Sequence, residues 1–286
     1  TQALIFDPDR FRPGIVVVDE EHRFGVRQRG RYWEQSPKPH LISLTATPIP
    51  RTLAHAIYGG SAVSYLELIK GKEKRTATRV FTPDRLGRHF AWLEEQIKSG
   101  AQAFFIAPFI SASEAEGFAD VYDAESLLAR AKTQLPNRRI ALLTGATKPK
   151  AKQNILKKML EGELDILVAT PVIEVGIDIP RASIATIFSA ERFGLAQLHQ
   201  LRGRVGRLGQ ESWCFLVPSP GVANLDRLKK LETLSDGSQL AELDLKTRGV
   251  GEFLGTRQSG WDTLRTADWL DFKLIEQVKR VQEKLL

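Results

Sequence analysis

Apolar residues fall along this chain in short β-branched runs that alternate with amphipathic stretches. Residues 15–18, Ile-Val-Val-Val, form an unbroken apolar run ending on Asp19. Such a run predicts a buried strand that delivers an acid at its C-terminal edge. Residues 41–44, Leu-Ile-Ser-Leu, predict a second strand, followed by Thr45-Ala46-Thr47-Pro48. Pro50 sits where a helix can start, and Arg51 to Tyr58 read as that helix until Gly59-Gly60 stops it. Residues 70–78 are charged and without period, which predicts an interdomain linker. Beyond it strands and helices alternate. The pattern predicts a helix over 84–99, strands over 102–107 and 139–143, and a helix with a Lys-rich outer face over 148–161. Further strands are predicted over 164–169, 183–188 and 212–217. The acidic, Ala/Ser-rich stretch 111–126 reads as a loop leading into a helix, and 222–286 as helical stretches interrupted from Gly249 to Gly260. This alternation predicts an α/β fold with a parallel sheet and right-handed crossovers. The expected domains are 1–69, 79–220 and a helical region 221–286.

Composition changes this picture little. At 286 residues and 42% hydrophobic, the chain can build about two cores. A net charge of +7 and a pI near 9.5 give a mild bias toward polyanions. The excess lies before residue 221, because the tail carries 11 Lys/Arg against 11 Asp/Glu. The one cysteine, Cys214, lies in an apolar run and reads as a buried thiol, in keeping with a reducing compartment. No apolar run reaches the roughly 18 residues of a membrane span, and no signal peptide is visible. The first residue is Thr1, so the chain reads as a fragment or an excised domain.

The candidate chemistry sits at the ends of the predicted strands, where ligand groups collect in α/β sheets. Asp19 can hold Mg²⁺, a hard cation that takes oxygen ligands, and Glu20 can orient an attacking water. Asp19-Glu20-Glu21-His22 alone reads as readily as a solvated turn, and the five histidines show no zinc spacing. Thr45 and Thr47 offer hydroxyls on a tight turn that is equally a plain strand-to-helix turn with a Thr cap. Thr170 can touch a phosphate and Asp178 a ribose hydroxyl or an arginine, although their segment, 170–180, also reads as a loop with a packed Val/Ile set. Residues 197–207, Gln-Leu-His-Gln-Leu-Arg-Gly-Arg-Val-Gly-Arg, place three arginines in six residues among glycines. Arginine's planar fork suits phosphate oxygens, and glycine lets backbone approach them. A solvated basic helix end is the plain alternative.

Taken in order, these segments resemble a two-lobed nucleic-acid motor of helicase superfamily 2, and more closely the RecG family of branched-DNA helicases. The resemblance runs over essentially all 286 residues. Its most specific parts are Asp19 to Arg29, Thr45 to Leu53, Ala190 to Gln200 and Gly251 to Gly260. The transcription-repair coupling translocases share the motor motifs with a weaker match in the tail. The resemblance implies RecA-like lobes: the C-terminal part of motor domain 1 over 1–69, motor domain 2 over 79–220, and a helical hairpin and loop carrying a translocation motif over 221–286. It implies ATP and Mg²⁺ as cofactors, with Asp19 holding the metal and Glu20 activating water. Thr45 and Thr47 would couple hydrolysis to DNA movement, and Thr170 and Glu174 would lie along the DNA-facing or coupling surface. His22, Gly176 and Asp178 would lie near the nucleotide. Arg204 and Arg207 would be arginine fingers, oriented by Gln200, and Arg227, Arg248 and Gln258 would occupy the translocation-motif positions. The implied partners are branched or forked DNA and a single-stranded DNA-binding protein. The implied state is a monomer, at the nucleoid in the bacterial cytoplasm, with no membrane contact.

The chain departs from the family pattern in three places. No G-x-x-x-x-G-K-[ST] phosphate loop occurs, and Gly71-Lys72 lacks both the earlier glycine and the following hydroxyl residue. Val250 stands at a usual proline, and Thr144-Gly145-Ala146 at a usual His-Gly-Arg. The missing loop makes a non-catalytic DNA-binding module the better expectation for the chain in isolation. A dinucleotide-binding enzyme has little support, because no G-x-G-x-x-G follows a strand.

Overall fold

The structure is a computed structural model that describes residues 13–19, 39–45, 64, 66, 76–112, 120–171, 179–234, 237, 239–240, 243, 277 and 281. The chain forms two compact units, Thr1–Pro48 and Ile49–Leu286.

In the first unit β1 (Ile15–Asp19) pairs in parallel with β2 (His40–Leu44), Val17 opposite Ile42 and Asp19 opposite Leu44. Both expected strands are present, but the expected burial is not. Ile15 and Val17 are 59% and 58% exposed, and Ile42 and Leu44 are exposed beside them. A parallel sheet is buried when helices cover both its faces, and the described residues of this unit are two strands without such layers. The helix expected over 51–58 lies outside the described residues.

The second unit is built on six parallel strands: β3 (Thr76–Val80), β4 (Gln102–Ile106), β5 (Ile140–Leu143), β6 (Ile166–Ala169), β7 (Ala182–Phe188) and β8 (Ser212–Val217). Their order is β3-β8-β7-β4-β6-β5. The central strands β4, β6 and β7 are buried throughout, as continuous apolar runs require. β3 corrects the linker expectation: the last three residues of 70–78, Thr76 to Thr78, are strand. Charge and lack of period hid them, because an edge strand buries little; Thr78 is buried while Ala77 and Arg79 are exposed.

Helices cover both faces. On one, Leu86, Phe90, Leu93 and Ile97 of α1 (Leu86–Lys98) and Leu127 and Ala131 of α2 (Ala124–Gln134) pack on Phe105, Val168, Ile184 and Phe188. On the other, Met159 of α3 (Pro149–Glu161), Leu198 and Leu201 of α4 (Leu195–Arg202) and Leu228 and Leu231 of α5 (Asp226–Thr233) pack on Phe104, Leu167, Ala185 and Ile187. Asp123 caps α2 by accepting from Ser126 N at 2.9 Å. Pro149 opens α3 and Gly162, at φ +79°, closes it in the left-handed conformation. α5 is the first piece of the helical tail; most of 244–286 lies outside the described residues.

His89 of α1 is buried with its Nε2 2.9 Å from Thr186 Oγ1. Its ring meets Phe215 edge-on at 4.6 Å and stacks on Trp92 at 5.9 Å. Burial among these rings pushes its pKa down to about 4. Cys214 is buried as expected, and burial pushes its thiol up to about 12. Among the described residues no helix is long and apolar enough to cross a membrane.

Candidate functional site

The arginine-rich segment begins on α4, whose Leu195, Leu198 and Leu201 are buried at helical spacing. The helix ends at Gly203, and the chain turns at once: Arg204 N donates to Leu201 O and Val205 N to Arg202 O. Three anchors then hold the turn. Val205 is fully buried in the core. Gly206 N donates to Ala182 O, at the start of β7, at 3.1 Å. Gln210 donates to Pro180 O at 2.8 Å and accepts from Leu208 N at 2.9 Å. Gly206 has φ +73°, and a Cβ there would collide with the Ser212 side chain, so only glycine brings the chain this close. Arg204 and Arg207 flank the Val205–Gly206 pair of anchors and are half-buried. Gln200, half-buried in the last turn of α4, precedes Arg204 by four residues.

The first arginine of the three behaves differently. Arg202 is only 8% exposed, and its Nη1 donates to Leu231 O at 3.0 Å and Leu234 O at 2.9 Å. Its Nη2 lies 2.8 Å from His199 Nδ1. Arginine has no acceptor, so His199 Nδ1 must accept, which puts the imidazole proton on Nε2. Burial draws the Arg202 guanidinium below its ordinary pKa, and the group still carries its charge in the protein.

The arginine turn is fastened at the amino-terminal ends of β7 and β8. Thr170, the other strand-end candidate of this unit among the described residues, lies at a carboxyl end. Thr170 follows β6, is buried, and donates its N–H to Leu143 O at 3.3 Å. β7 spans seven residues, so the two edges stand about 20 Å apart. The structure therefore does not bring Arg204 and Arg207 to Thr170; it sets them on opposite edges of one sheet.

At the carboxyl edge a polar chain joins three segments. Tyr122 N donates to Ser189 Oγ at 2.9 Å. Ser219 Oγ lies 2.9 Å from Ser189 Oγ and 2.6 Å from Glu191 Oε1. Ser219 Oγ is the donor toward both acceptors, and the shorter contact is to the carboxylate. Ser189 is completely buried and holds φ 48° and ψ 46°, a left-handed conformation that costs a non-glycine residue about 1 kcal/mol. Arg227, expected in the translocation motif, fastens α5 to this edge, donating to Glu191 O at 2.6 Å and Phe193 O at 2.9 Å.

In the first unit, Asp19 ends β1 and Thr45 follows β2, so the register puts both at the carboxyl edge of the pair. Both are exposed. Glu20, His22, Thr47, Glu174, Gly176, Asp178, Arg248 and Gln258 lie outside the described residues. Sequence reasoning missed the structural use of Arg202 and the Ser189–Ser219–Glu191 chain. Arg202 looks like its neighbours in sequence, and only its burial separates it. The serines carry no spacing signal, because they meet across strands.

Residues 88–209 match the helicase conserved C-terminal domain. The chain is 41% identical over 285 residues to the ATP-dependent DNA helicase RecG of Streptococcus pneumoniae, covering 98% of this chain and 42% of that protein. It is 40% identical over 287 residues to the RecG of Thermotoga maritima, covering 99% of this chain and 36% of that protein. This is a RecG-like helicase C-terminal domain. A solved structure of RecG bound to a three-way DNA junction superposes with a TM-score of 0.67 at 36% identity, over 92% of this chain and 33% of that one. The six-stranded parallel sheet is thus a RecA-like helicase lobe. The chain spans well under half the length of these RecG relatives.

Proposed function

We propose that this chain is the C-terminal motor portion of an ATP-dependent helicase that remodels branched DNA, such as replication forks and Holliday junctions, in recombination and repair. One observation carries the reading: a turn held by Val205, Gly206 and Gln210 carries Arg204 and Arg207 on either side of the Val205–Gly206 anchor. Phosphoryl transfer is catalysed mainly by positioning and charge, and two arginines on a held backbone turn serve both. On this reading Arg204 and Arg207 stabilise the charge that develops on the γ-phosphate of ATP, with Gln200 orienting them. Asp19 holds Mg²⁺ and Glu20 activates the attacking water, with His22, Gly176 and Asp178 near the nucleotide. Asp19 suits the metal, since it is an exposed carboxylate at a strand's carboxyl end. Among the described residues no cluster of three or more metal-ligating side chains occurs. Mg²⁺ in nucleotide sites commonly takes water and phosphate oxygens beside one or two carboxylates.

Thr45, Thr47, Thr170 and Glu174 couple hydrolysis to DNA. The wide separation between Thr170 and the arginine turn supports a division of labour, one sheet edge for DNA and the other for nucleotide. Arg227, Arg248 and Gln258 serve translocation, and for Arg227 the two carbonyl bonds favour holding α5 in place over touching DNA directly. We include in this proposal branched or forked DNA as partner, contact with a single-stranded DNA-binding protein, action as a monomer, and a place at the nucleoid of the bacterial cytoplasm.

The test is Arg207→Ala in the longer protein that carries this chain. DNA-stimulated ATP turnover should fall by roughly 10³-fold or more. Turnover at the unsubstituted rate would remove Arg207 from the catalytic role.

A further inference from the structure

We propose that Arg202 is a positioning residue: it latches the turn bearing Arg204 and Arg207 to the C-terminal end of α5, so that the place of α5 sets the reach of the two arginines. The inference rests on the finger reading of Arg204 and Arg207 and adds to it a residue and a route of control.

A guanidinium buried to 8% exposure is costly to a fold unless its hydrogen bonds are well met. Here they are met by carbonyls at the last turn of a helix. Nη1 takes Leu231 O and Leu234 O, and Nη2 takes His199 Nδ1. The carbonyls at a helix C-terminus carry its partial negative charge, which favours a cation there. A buried fork engaged in this way is not presented to a phosphate, although Arg202 shares the motif with the two half-buried arginines read as fingers.

The consequences follow from what hangs on Arg202. It closes α4, and the turn begins from its own last residues: Arg204 N bonds Leu201 O and Val205 N bonds Arg202 O. A rotation of this final helical turn therefore redirects Arg204 and Arg207. The far end of the pair is also tied, because Arg227, at the start of α5, bonds Glu191 O and Phe193 O just ahead of α4. The two helices thus run side by side in the same sense, fastened at both ends. α5 is tied in addition to β3, since Glu232 Oε1 accepts from Val80 N at 2.8 Å. A displacement of α5 has a direct path to the arginine turn through Arg202, and none of its atoms need touch nucleotide.

Two variants test this, because they differ in what they keep. Arg202→Lys retains the charge but replaces a fork by a point donor, and Arg202→Gln removes the charge. Hydrogen exchange on the 286-residue chain is the first readout. Arg202→Gln should speed exchange by tenfold or more both in residues 203–209 and in 230–235, with Arg202→Lys in between and the β4 and β6 amides unchanged. Faster exchange at 230–235 alone would overturn the latch, since Arg202 would then only cap α5. If Arg202→Gln loosens the whole sheet, Arg202→Lys is judged by the same two segments. The second readout is ATP turnover by the longer protein. Arg202→Lys should lower kcat at least fivefold, with KM for ATP within twofold and the melting temperature little changed. An unchanged kcat, or a loss of stability alone, would overturn the positioning role. Arg207→Ala run beside it separates the two claims: full turnover there sinks the finger reading, and the exchange data then judge the latch by itself.

Discussion

At the scale of the residue, the arginine turn shows how little of a site's geometry comes from the residues that give it its chemistry. Arg204 and Arg207 are placed by Val205, Gly206 and Gln210, and Gly206 is the least replaceable of these. Gly206 and Gly209 both have positive φ, +73° and +79°, but a Cβ at Gly206 meets Ser212 while one at Gly209 meets nothing within 4 Å. Gly209→Ala should therefore cost only the left-handed backbone penalty, about 1 kcal/mol. Gly206→Ala should cost more, about 2–3 kcal/mol, because Ser212 must also move and its Oγ already bonds Thr76 Oγ1 at 2.9 Å. Urea unfolding of the two variants checks the order, and equal losses would show that the contact with Ser212 relaxes freely. The pattern R-G-R-V-G-R announced arginines and glycines in the sequence. It did not say which glycine is sterically required or which arginine is buried, because both depend on Ser212 and Leu231, which lie beyond the segment.

At the scale of the element, α1 illustrates a helix whose apolar stripe was legible and whose one buried polar group was not. Its stripe packs on the sheet through Phe90 and Leu93, and His89 sits beside them against Thr186 of β7. Burial holds His89 neutral down to about pH 4, whereas in the unfolded chain it takes a proton near pH 6.5. Below pH 6.5 the unfolded state therefore binds a proton that the folded state refuses, and stability falls as pH falls. The loss should be complete near pH 4, below which both states are protonated, and should amount to about 3 kcal/mol. Comparing urea unfolding of the chain with that of His89→Phe, from pH 7 to pH 4, isolates this contribution. If both lose the same stability over that window, the neutral buried histidine is not its source. The strands were equally legible where they are central. β4, β6 and β7 are apolar runs, and the structure moves their ends by one or two residues. β3 was not legible, because an edge strand with one buried side chain has no run to show.

At the scale of the whole molecule, the proposed reading gives the chain some parts of a phosphoryl-transfer site and not another. On that reading it supplies Asp19, Glu20 and the arginine turn, while its sequence has no phosphate-cradling G-x-x-x-x-G-K-[ST] loop. We expect the 286 residues alone to hydrolyse ATP at close to background, and a clear Mg²⁺-dependent turnover by the purified chain would overturn this. DNA binding by the chain should rest on phosphate contacts, so affinity should fall steeply between 50 and about 200 mM salt. A flat response would argue against a phosphate-led interface. The sequence by itself determined the fold class, the order of the motifs and their place at strand ends, because apolar periodicity and local residue chemistry are properties of neighbours along the chain. The tertiary structure decided what those neighbours are for. It put Thr170 and the arginine turn on opposite edges of one sheet, left Ile15 and Val17 exposed on a two-stranded pair, and gave the three arginines different surroundings. Arg202 is buried against α5, while Arg204 and Arg207 flank the Val205–Gly206 anchor of the turn. A side chain's partners across the fold set its burial and its hydrogen bonds, and no spacing along the chain records them.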